Sequence, residues 1–175
     1  MKIAFQMDPI SGVDIKADST FRLAEEAQIR GYDLFYYSAD KLSYQEGYLT
    51  ARGHKFKIQR VATAPALLEE EEEVRLSDFD VIWLRQDPPF DMHYITTTHL
   101  LELVHPETLV VNDPFWVRNY PEKLLVLNFP NLIPPTTIAH DLETIKIFKE
   151  KHKDIVLKPL YGNGGAGVFR LGPLD

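Results

Sequence analysis

Alternating apolar and polar positions open the chain and predict its first elements. Residues 3–7 alternate with a period of two, which predicts a strand that ends at Asp8. A helix is expected next, because Asp18 or Ser19 can cap its start and Gly31 supplies a stop after residue 30. The chain therefore begins with a strand followed by a helix.

Strands and helices continue to alternate to about residue 119. The predicted elements are a strand over 32–38, a β-hairpin within 41–61, strands at 80–84 and 109–111, and a helix over 92–104. Alternating strands and helices are typical of a doubly wound, Rossmann-like α/β sheet, in which ligands bind beyond the carboxyl ends of the strands. Asp8 and Arg85 both follow predicted strands, so both are candidate binding residues.

Five consecutive acidic residues, Glu69–Glu73, interrupt the alternation of predicted strands and helices. The run is interpreted as a solvated linker or a helix surface. Metal binding is the lesser alternative, because adjacent side chains on a helix diverge.

The pattern changes from Tyr120. A short helix is predicted at 122–128, a strand near 136–139, a helix capped by Asp141, and two strands that begin near 155 and 168. This arrangement indicates the beginning of an α+β unit. We therefore expect an N-terminal α/β domain over 1–119 and an incomplete second domain over 120–175.

Composition narrows the classes of function. The 175 residues carry a formal charge of −7, which disfavours nucleic acid or an anionic membrane as the main partner. There is no cysteine, so disulfides and thiolate zinc sites are excluded, and the histidines show no zinc-type spacing. An early acid at Asp8 argues against a signal peptide, and no apolar run reaches the roughly 18 residues that span a bilayer. A cytoplasmic protein is the expectation.

Four glycines stand within six residues near the end of the sequence: Gly162, Gly164, Gly165 and Gly167. Their spacing matches the dinucleotide-binding motif G-x-G-x-x-G. That motif must stand at the beginning of a helix, and here a strand is predicted to follow. A strand–glycine loop–strand arrangement instead favours a flap over nucleotide phosphates. A plain glycine-rich hairpin turn stays open as the alternative.

Lys158 precedes this loop and favours the phosphate interpretation. Alternation along the strand that begins at Ile155 places Lys158 on a face with Val156 and Leu160. A lysine on an apolar face requires an anion, because a buried unpaired ammonium is costly. Phosphate is a suitable anion.

These motifs together resemble the bacterial glutathione synthetase family of ATP-grasp ligases, over all 175 residues. The likeness rests on Met-Asp-Pro-Ile at 7–10, Leu-Arg-Gln-Asp-Pro-Pro-Phe-Asp at 84–91, Glu-Lys-Leu at 122–124, and the segment 157–170. The fold it implies is a pre-ATP-grasp domain followed by the beginning of an ATP-grasp domain.

The resemblance implies ligation of γ-glutamylcysteine and glycine with ATP and Mg²⁺. Lys123, Lys158 and the glycines of 162–167 match the family's ATP-phosphate residues, and Asp8 and Arg85 match its dipeptide-facing segments. The family sequence continues further, and its magnesium ligands are expected in the part that is absent here. The resemblance also implies a homo-oligomer, and we expect no turnover from these 175 residues alone.

Structural alternatives remain for three of the site residues. Arg85 could form a surface pair with Asp87 or Asp91, Asp8 could simply end a strand, and Lys123 could be an exposed helix lysine. No catalytic side chain and no metal ligand is assigned. Two other functions also stay open: another ATP-grasp carboxylate–amine ligase, or a non-catalytic substrate-binding or oligomerisation module.

Overall fold

A computed structural model describes residues 1–162 and 164–175, and the chain forms two compact units. The first unit comprises Met1–Asp87 and Asp91–Asn119, and the second comprises Pro88–Phe90 and Tyr120–Asp175. No helix in the described part of the chain is both long and apolar enough to cross a bilayer.

The first unit is built on a seven-stranded mixed sheet. Its strands are β1 (Lys2–Met7), β2 (Asp33–Tyr37), β3 (Leu42–Gln45), β4 (Tyr48–Ile58), β5 (Ala66–Arg75), β6 (Val81–Arg85) and β7 (Leu109–Val111). Its helices are α1 (Ser19–Ile29), α2 (Met92–Glu102) and α3 (Pro114–Asn119). The order is β3-β4-β2-β1-β6-β7, with β5 paired to β4, and β2, β1, β6 and β7 run parallel.

Two apolar cores cover the two faces of this sheet. On one face, Phe21 and Ala24 of α1 pack with Phe5 of β1. On the other, Leu101 of α2 packs with Ile82 of β6. Helices on both faces of a mainly parallel core define a doubly wound α/β fold, so the predicted fold class is confirmed.

The predicted hairpin within 41–61 is also confirmed, as β3 and β4 pair antiparallel. Its two-residue turn is formed by Glu46 and Gly47, with φ of 50° and 90°. Positive φ at both positions is the backbone of a type I′ turn, whose twist matches that of the flanking strands.

The interpretation of Glu69–Glu73 as a linker or helix surface is wrong. These residues belong to β5, which pairs antiparallel with β4 at the edge of the sheet. Their side chains are largely exposed, and Glu71 and Glu72 form ion pairs with Lys41 and Lys55 at 3.4 and 3.0 Å. Backbone pairing with a long neighbouring strand outweighs the low strand propensity of glutamate, which depends strongly on context.

The second unit contains α4 (Glu122–Leu125), α5 (Leu142–His152), β8 (Ile155–Leu157) and β9 (Phe169–Leu171). As predicted, Asp141 caps α5, and its carboxylate accepts the N–H groups of Glu143 and Thr144. β8 and β9 form a two-stranded antiparallel sheet.

Two predictions for this unit are wrong. The helix expected over 122–128 ends at Leu125 and gives way to a 3₁₀ turn at Val126–Asn128. The strand expected near 136–139 does not form, because no described strand lies beside it to pair with. Only Ile155 is buried among this unit's described residues, so the unit has very little core of its own.

Candidate functional site

The first candidate site is a depression of about 520 Å³ in the first unit. It lies at the carboxyl ends of β1 and β6, which are parallel neighbours with Met7 opposite Arg85. Asp8, Asp87 and Arg85 line it together with the start of α1. The sheet therefore brings the two substrate-binding candidates of the sequence, Asp8 and Arg85, to one place.

Arg85 is held by two hydroxyl groups at the start of α1. Its Nε donates to Thr20 Oγ1 at 3.0 Å, and its Nη2 donates to Ser19 Oγ at 2.8 Å. Thr20 is buried, and the arginine is half-buried. The alternative of a surface pair with Asp87 or Asp91 is not what the structure shows, since the partners of the guanidinium are neutral.

Asp8 joins the two strand ends through the backbone. Its Oδ2 accepts the N–H of Asp87 at 2.6 Å. A side-chain bond between Gln6 Nε2 and Gln86 Oε1, at 3.2 Å, adds a second connection between the same strands. Asp8 thus has a structural contact, and its exposed carboxylate still faces the depression.

Sequence reasoning missed the part that Ser19 and Thr20 play. It considered Ser19 only as a helix cap, but Asp18 is the cap and accepts the N–H groups of Thr20 and Phe21 at 2.6 and 3.0 Å. Ser19 and Thr20 are separated from Arg85 by more than sixty positions. No local pattern could have paired them.

Tyr94 was also missed. It lies on α2, where Asp91 caps the helix by accepting the N–H groups of His93 and Tyr94. Burial raises the pKa of the Tyr94 hydroxyl, the charge of Arg85 opposes that rise, and Asp87 and Asp8 add to it. The charges of all three residues thus bear on the pKa of Tyr94, and the Asp91 cap followed by an apolar helix was the available signal.

The second candidate site is the glycine loop between β8 and β9, in the second unit. Gly164, Gly165 and Gly167 have φ of 60°, 78° and 70°, a region that side chains with a Cβ rarely adopt. A Cβ added at Gly167 would also lie 2.8 Å from Pro159 Cγ. Asn163 lies outside the described residues.

Lys123 of α4 contacts this loop directly. Its Nζ donates to the carbonyl oxygen of Gly162 at 2.7 Å, and its side chain is half-buried. Lys123 is therefore not a fully exposed helix lysine. An ammonium group has three donors, so two remain after this bond.

Lys158 does not lie on a buried face, so that prediction is wrong. Lys158 is exposed, and so is Val156 on the same face. A two-stranded sheet with little packed against it leaves both faces open to solvent. The ammonium group of Lys158 is therefore not buried and does not require an anion as a partner. What still connects Lys158 with the glycine loop is its position next to that loop in the sequence.

The glycine segment runs into strand β9 and not into a helix, which excludes the dinucleotide fingerprint as predicted. No group of three or more metal-ligating side chains occurs among residues 1–162 and 164–175.

Comparison with known families matches both parts of the chain. Residues 1–118 match the family model of the prokaryotic glutathione synthetase N-terminal domain. Residues 122–175 match the model of the prokaryotic glutathione synthetase ATP-grasp domain.

The curated relatives that match the chain are named glutathione synthetase. The chain is 54% identical over 175 residues to the glutathione synthetase of Brucella melitensis biotype 1, covering 100% of this chain and 56% of the relative. It is 54% identical over 167 residues to that of Agrobacterium fabrum, covering 95% and 52%. It is 40% identical over 172 residues to that of Vibrio cholerae serotype O1, covering 98% and 54%. The chain thus spans just over half the length of these relatives.

Proposed function

The chain belongs to the prokaryotic glutathione synthetase family, and from this premise we propose that it takes part in the ATP-dependent ligation of γ-glutamylcysteine with glycine. The cysteinyl carboxylate of the dipeptide takes the γ-phosphoryl group of ATP, and ADP leaves. The amine of glycine then displaces phosphate from the acyl phosphate and loses a proton. The complete reaction is proposed for the family's full-length sequence and not for these 175 residues alone.

The observation that carries the dipeptide part of this proposal is the orientation of Arg85. Two neutral hydroxyls hold the guanidinium and leave its charge uncompensated by them. A guanidinium binds a carboxylate through two parallel hydrogen bonds. Arg85 is therefore suited to bind a carboxylate of the dipeptide, with Asp8 beside it in the depression.

Titration calorimetry of the 175-residue chain with γ-glutamylcysteine tests this role. We expect Arg85→Ala to weaken binding roughly 10- to 100-fold, since a hydrogen bond to a charged group contributes about 1.5–3 kcal/mol. The matched control is Arg22→Ala, which removes a charge from α1 outside the depression, where Arg22 pairs with Glu25. Equal losses in the two variants would show that Arg85 does not bind the dipeptide.

The glycine loop is proposed to hold the phosphates of ATP. Three glycines with positive φ allow backbone N–H groups to approach an anion closely. Lys123 supplies a charge whose position is set by its bond to Gly162. We propose that Lys123, Lys158, Gly162, Gly164, Gly165 and Gly167 contact the phosphates.

A fluorescent ATP analogue tests the loop. We expect Lys123→Met to weaken analogue binding about tenfold, because one charge-assisted hydrogen bond to phosphate is lost. Lys151→Met, an exposed lysine on α5, is the control. If both variants bind like the unaltered chain, the loop is a glycine-rich turn and not a phosphate site.

Magnesium is proposed for the reaction on family grounds, and among the described residues no group of three or more metal-ligating side chains occurs. We expect the 175 residues alone to release no phosphate from MgATP. Phosphate release that required both γ-glutamylcysteine and glycine would contradict this expectation.

Location and assembly are proposed from family membership alone. We propose a cytoplasmic protein that forms a homo-oligomer. Light scattering coupled to size-exclusion chromatography tests the second statement, and a single species of monomer mass at micromolar concentration would contradict it. Dipeptide binding without turnover by the isolated chain would fit the N-terminal unit acting as a substrate-binding module.

A further inference from the structure

The backbone at the end of α5 is strained at a residue that is not glycine. Lys153 has φ of 63° and ψ of −49°, and the N–H of Asp154 donates to the carbonyl oxygen of His152 at 2.7 Å. This geometry is a γ-turn with positive φ, which is rare and strained. Helices commonly end at a glycine with positive φ, because glycine has no Cβ to clash. Strained backbone of this kind is frequent at functional sites.

The helix itself does not explain a lysine at this position. A cation near a helix C-terminus interacts favourably with the helix dipole, but the gain is small at an exposed site. Lys151 and His152 already lie in the last turn of α5, and the strain of a non-glycine residue at positive φ exceeds that gain. A glycine would end the helix without strain. Lys153 therefore lowers the stability of its own turn.

Three lysines meet at this turn. Lys146, Lys149 and Lys153 line one depression of about 320 Å³ in the second unit. Lys146 and Lys149 are three positions apart on α5 and so lie on one face of the helix. The γ-turn contributes the third lysine. Positive charges from the helix and from the strained turn thus converge on one place.

The ammonium groups in this depression have hydrogen-bond donors that are not used. Lys153 forms no ion pair within the described part of the chain. Lys149 donates to the carbonyl oxygen of Asp175 at 3.3 Å, which leaves two of its three donors. Lys146 lies 3.9 Å from Glu143, and both side chains are exposed, so that pair is weak. Free donors on several cations suit the oxygens of a phosphate group.

Two carboxylates also line the depression and set the charge of the ligand that fits it. Asp175 Oδ2 accepts the N–H of Gly172 at 2.6 Å, so this oxygen is already used within its own turn. Glu150 faces the depression and opposes an anion. Three ammonium groups against two carboxylates leave an excess of positive charge. The attraction of an anion to that excess increases with the charge of the anion.

We propose that Lys146, Lys149 and Lys153 form a binding site for a multiply charged phosphate anion. The site is separate from the glycine loop, because the γ-turn precedes β8 and the loop follows it. A strand rises about 3.3 Å per residue, so the three residues of β8 separate the two places by about 10 Å. The Lys153 side chain completes the site, which is the gain that accompanies the strain of its turn.

An NMR titration of the 175-residue chain with inorganic pyrophosphate tests the site. The amide signals of residues 149–154 report on the depression, and those of residues 164–167 report on the glycine loop. We expect a saturable change in chemical shift at 149–154 that sodium chloride of equal ionic strength does not reproduce. A change that grows without saturation, or an equal change with chloride, overturns the proposal.

Variants of opposite effect assign the charges. Lys153→Gly should weaken pyrophosphate binding at 149–154 about two- to fivefold, the range of one exposed charge pair, and Lys153→Arg should retain it. Glu150→Gln should tighten binding by a similar factor, because it removes a repulsion. The matched control is Lys151→Met, an exposed lysine of α5 that does not line the depression. Equal weakening in Lys153→Gly and Lys151→Met overturns the proposal, since the lysines would then be only a solvated charged face.

The glycine variant also tests the strain. Amide exchange in β8 should be slower in Lys153→Gly than in the unaltered chain, because glycine adopts positive φ without strain. A variant that gains protection while it loses pyrophosphate shows that the lysine side chain serves binding and not folding. Faster exchange in β8 would show that Lys153 stabilises the turn, and the proposal would lose its basis. Glu150→Gln and Lys153→Arg still decide the binding if the glycine variant does not fold.

A titration with ATP distinguishes two sources of the same phosphate chemistry. If ATP shifts the signals of 149–154 as pyrophosphate does, the site accepts the phosphate chain of a nucleotide. If pyrophosphate shifts 149–154 and ATP shifts only 164–167, the site takes the free anion, and both results support the proposal. If both probes shift only 164–167, the lysine site is refuted while the proposed role of the glycine loop stands.

Discussion

Gly53 occupies a position in β4 where a single methyl group would meet the backbone of the next strand. It is buried in the sheet. A Cβ built at this residue would overlap the carbonyl oxygen of Tyr36 and would lie 2.9 Å from both Phe35 Cε1 and Tyr37 Cβ. All three neighbours belong to β2, and an isolated glycine inside a strand commonly marks such a close approach.

The cost of Gly53→Ala follows from what must move. Overpacking a filled core costs about 1–3 kcal/mol. Because one obstacle is a backbone oxygen, β2 must also shift from β4, and each backbone hydrogen bond lost near the Tyr36–His54 pair costs about 0.5–1.5 kcal/mol. With two such bonds lost the sum is about 2–6 kcal/mol, a large part of the roughly 5–15 kcal/mol typical of a domain. The melting temperature of the first unit should fall by roughly 10–20 °C.

Urea unfolding followed by tryptophan fluorescence measures this loss. Both tryptophans of the chain, Trp83 and Trp116, lie in the first unit. The control is Gly12→Ala, where an added Cβ meets nothing within 4 Å and φ is not positive. Its free energy of unfolding should change by no more than about 0.5 kcal/mol. If Gly53→Ala matches that control, the argument from backbone overlap is refuted.

Three further predictions concern other parts of the chain. The buried hydroxyl of Tyr37 has no hydrogen-bond partner among residues 1–162 and 164–175, so Tyr37→Phe should raise the free energy of unfolding by about 1 kcal/mol; a loss of that size in urea unfolding would mean that the hydroxyl has a partner. The acidic edge strand β5 should resist pairing with other chains, so the double variant Glu70→Thr/Glu73→Thr should keep its melting temperature but scatter more light as concentration rises; unchanged scattering would contradict this. The hydrogen bond from Arg170 lowers the pKa of Asp154 below its usual 3.8, so this pair stabilises the β8–β9 sheet above that pH and loses its effect as pH falls through the lowered pKa. Hydrogen exchange of β8 and β9 should show this loss, and a similar profile in Arg170→Gln would count against the pair.

Local signals predicted the elements whose ends are set by a few adjacent residues. The cap at Asp18, the stop at Gly31 and the turn at Gly47 all act through their own backbone and nearby N–H groups. The strand ends that carry Asp8 and Arg85 were found because parallel strands present their carboxyl ends at one edge.

Errors arose where exposure or pairing depends on distant residues. Glu69–Glu73 were expected on a linker or helix, but β4 supplies a partner strand and Lys41 and Lys55 supply countercharges. Lys158 was expected on a buried face, but a two-stranded sheet leaves it exposed. The strand near 136–139 was expected from its composition alone and has no described neighbour to pair with.

The sequence by itself determined the alternation of strands and helices, the glycines that permit positive φ, and the presence of an arginine and an aspartate at two strand ends. These depend on local sterics and periodicity, which adjacent residues control. Only the tertiary structure decided that Arg85 is held by Ser19 and Thr20, that Lys123 contacts Gly162, and that Gly53 lies against Tyr36. Such contacts join positions that are far apart in the chain, and they exist only because the folded backbone brings those positions together.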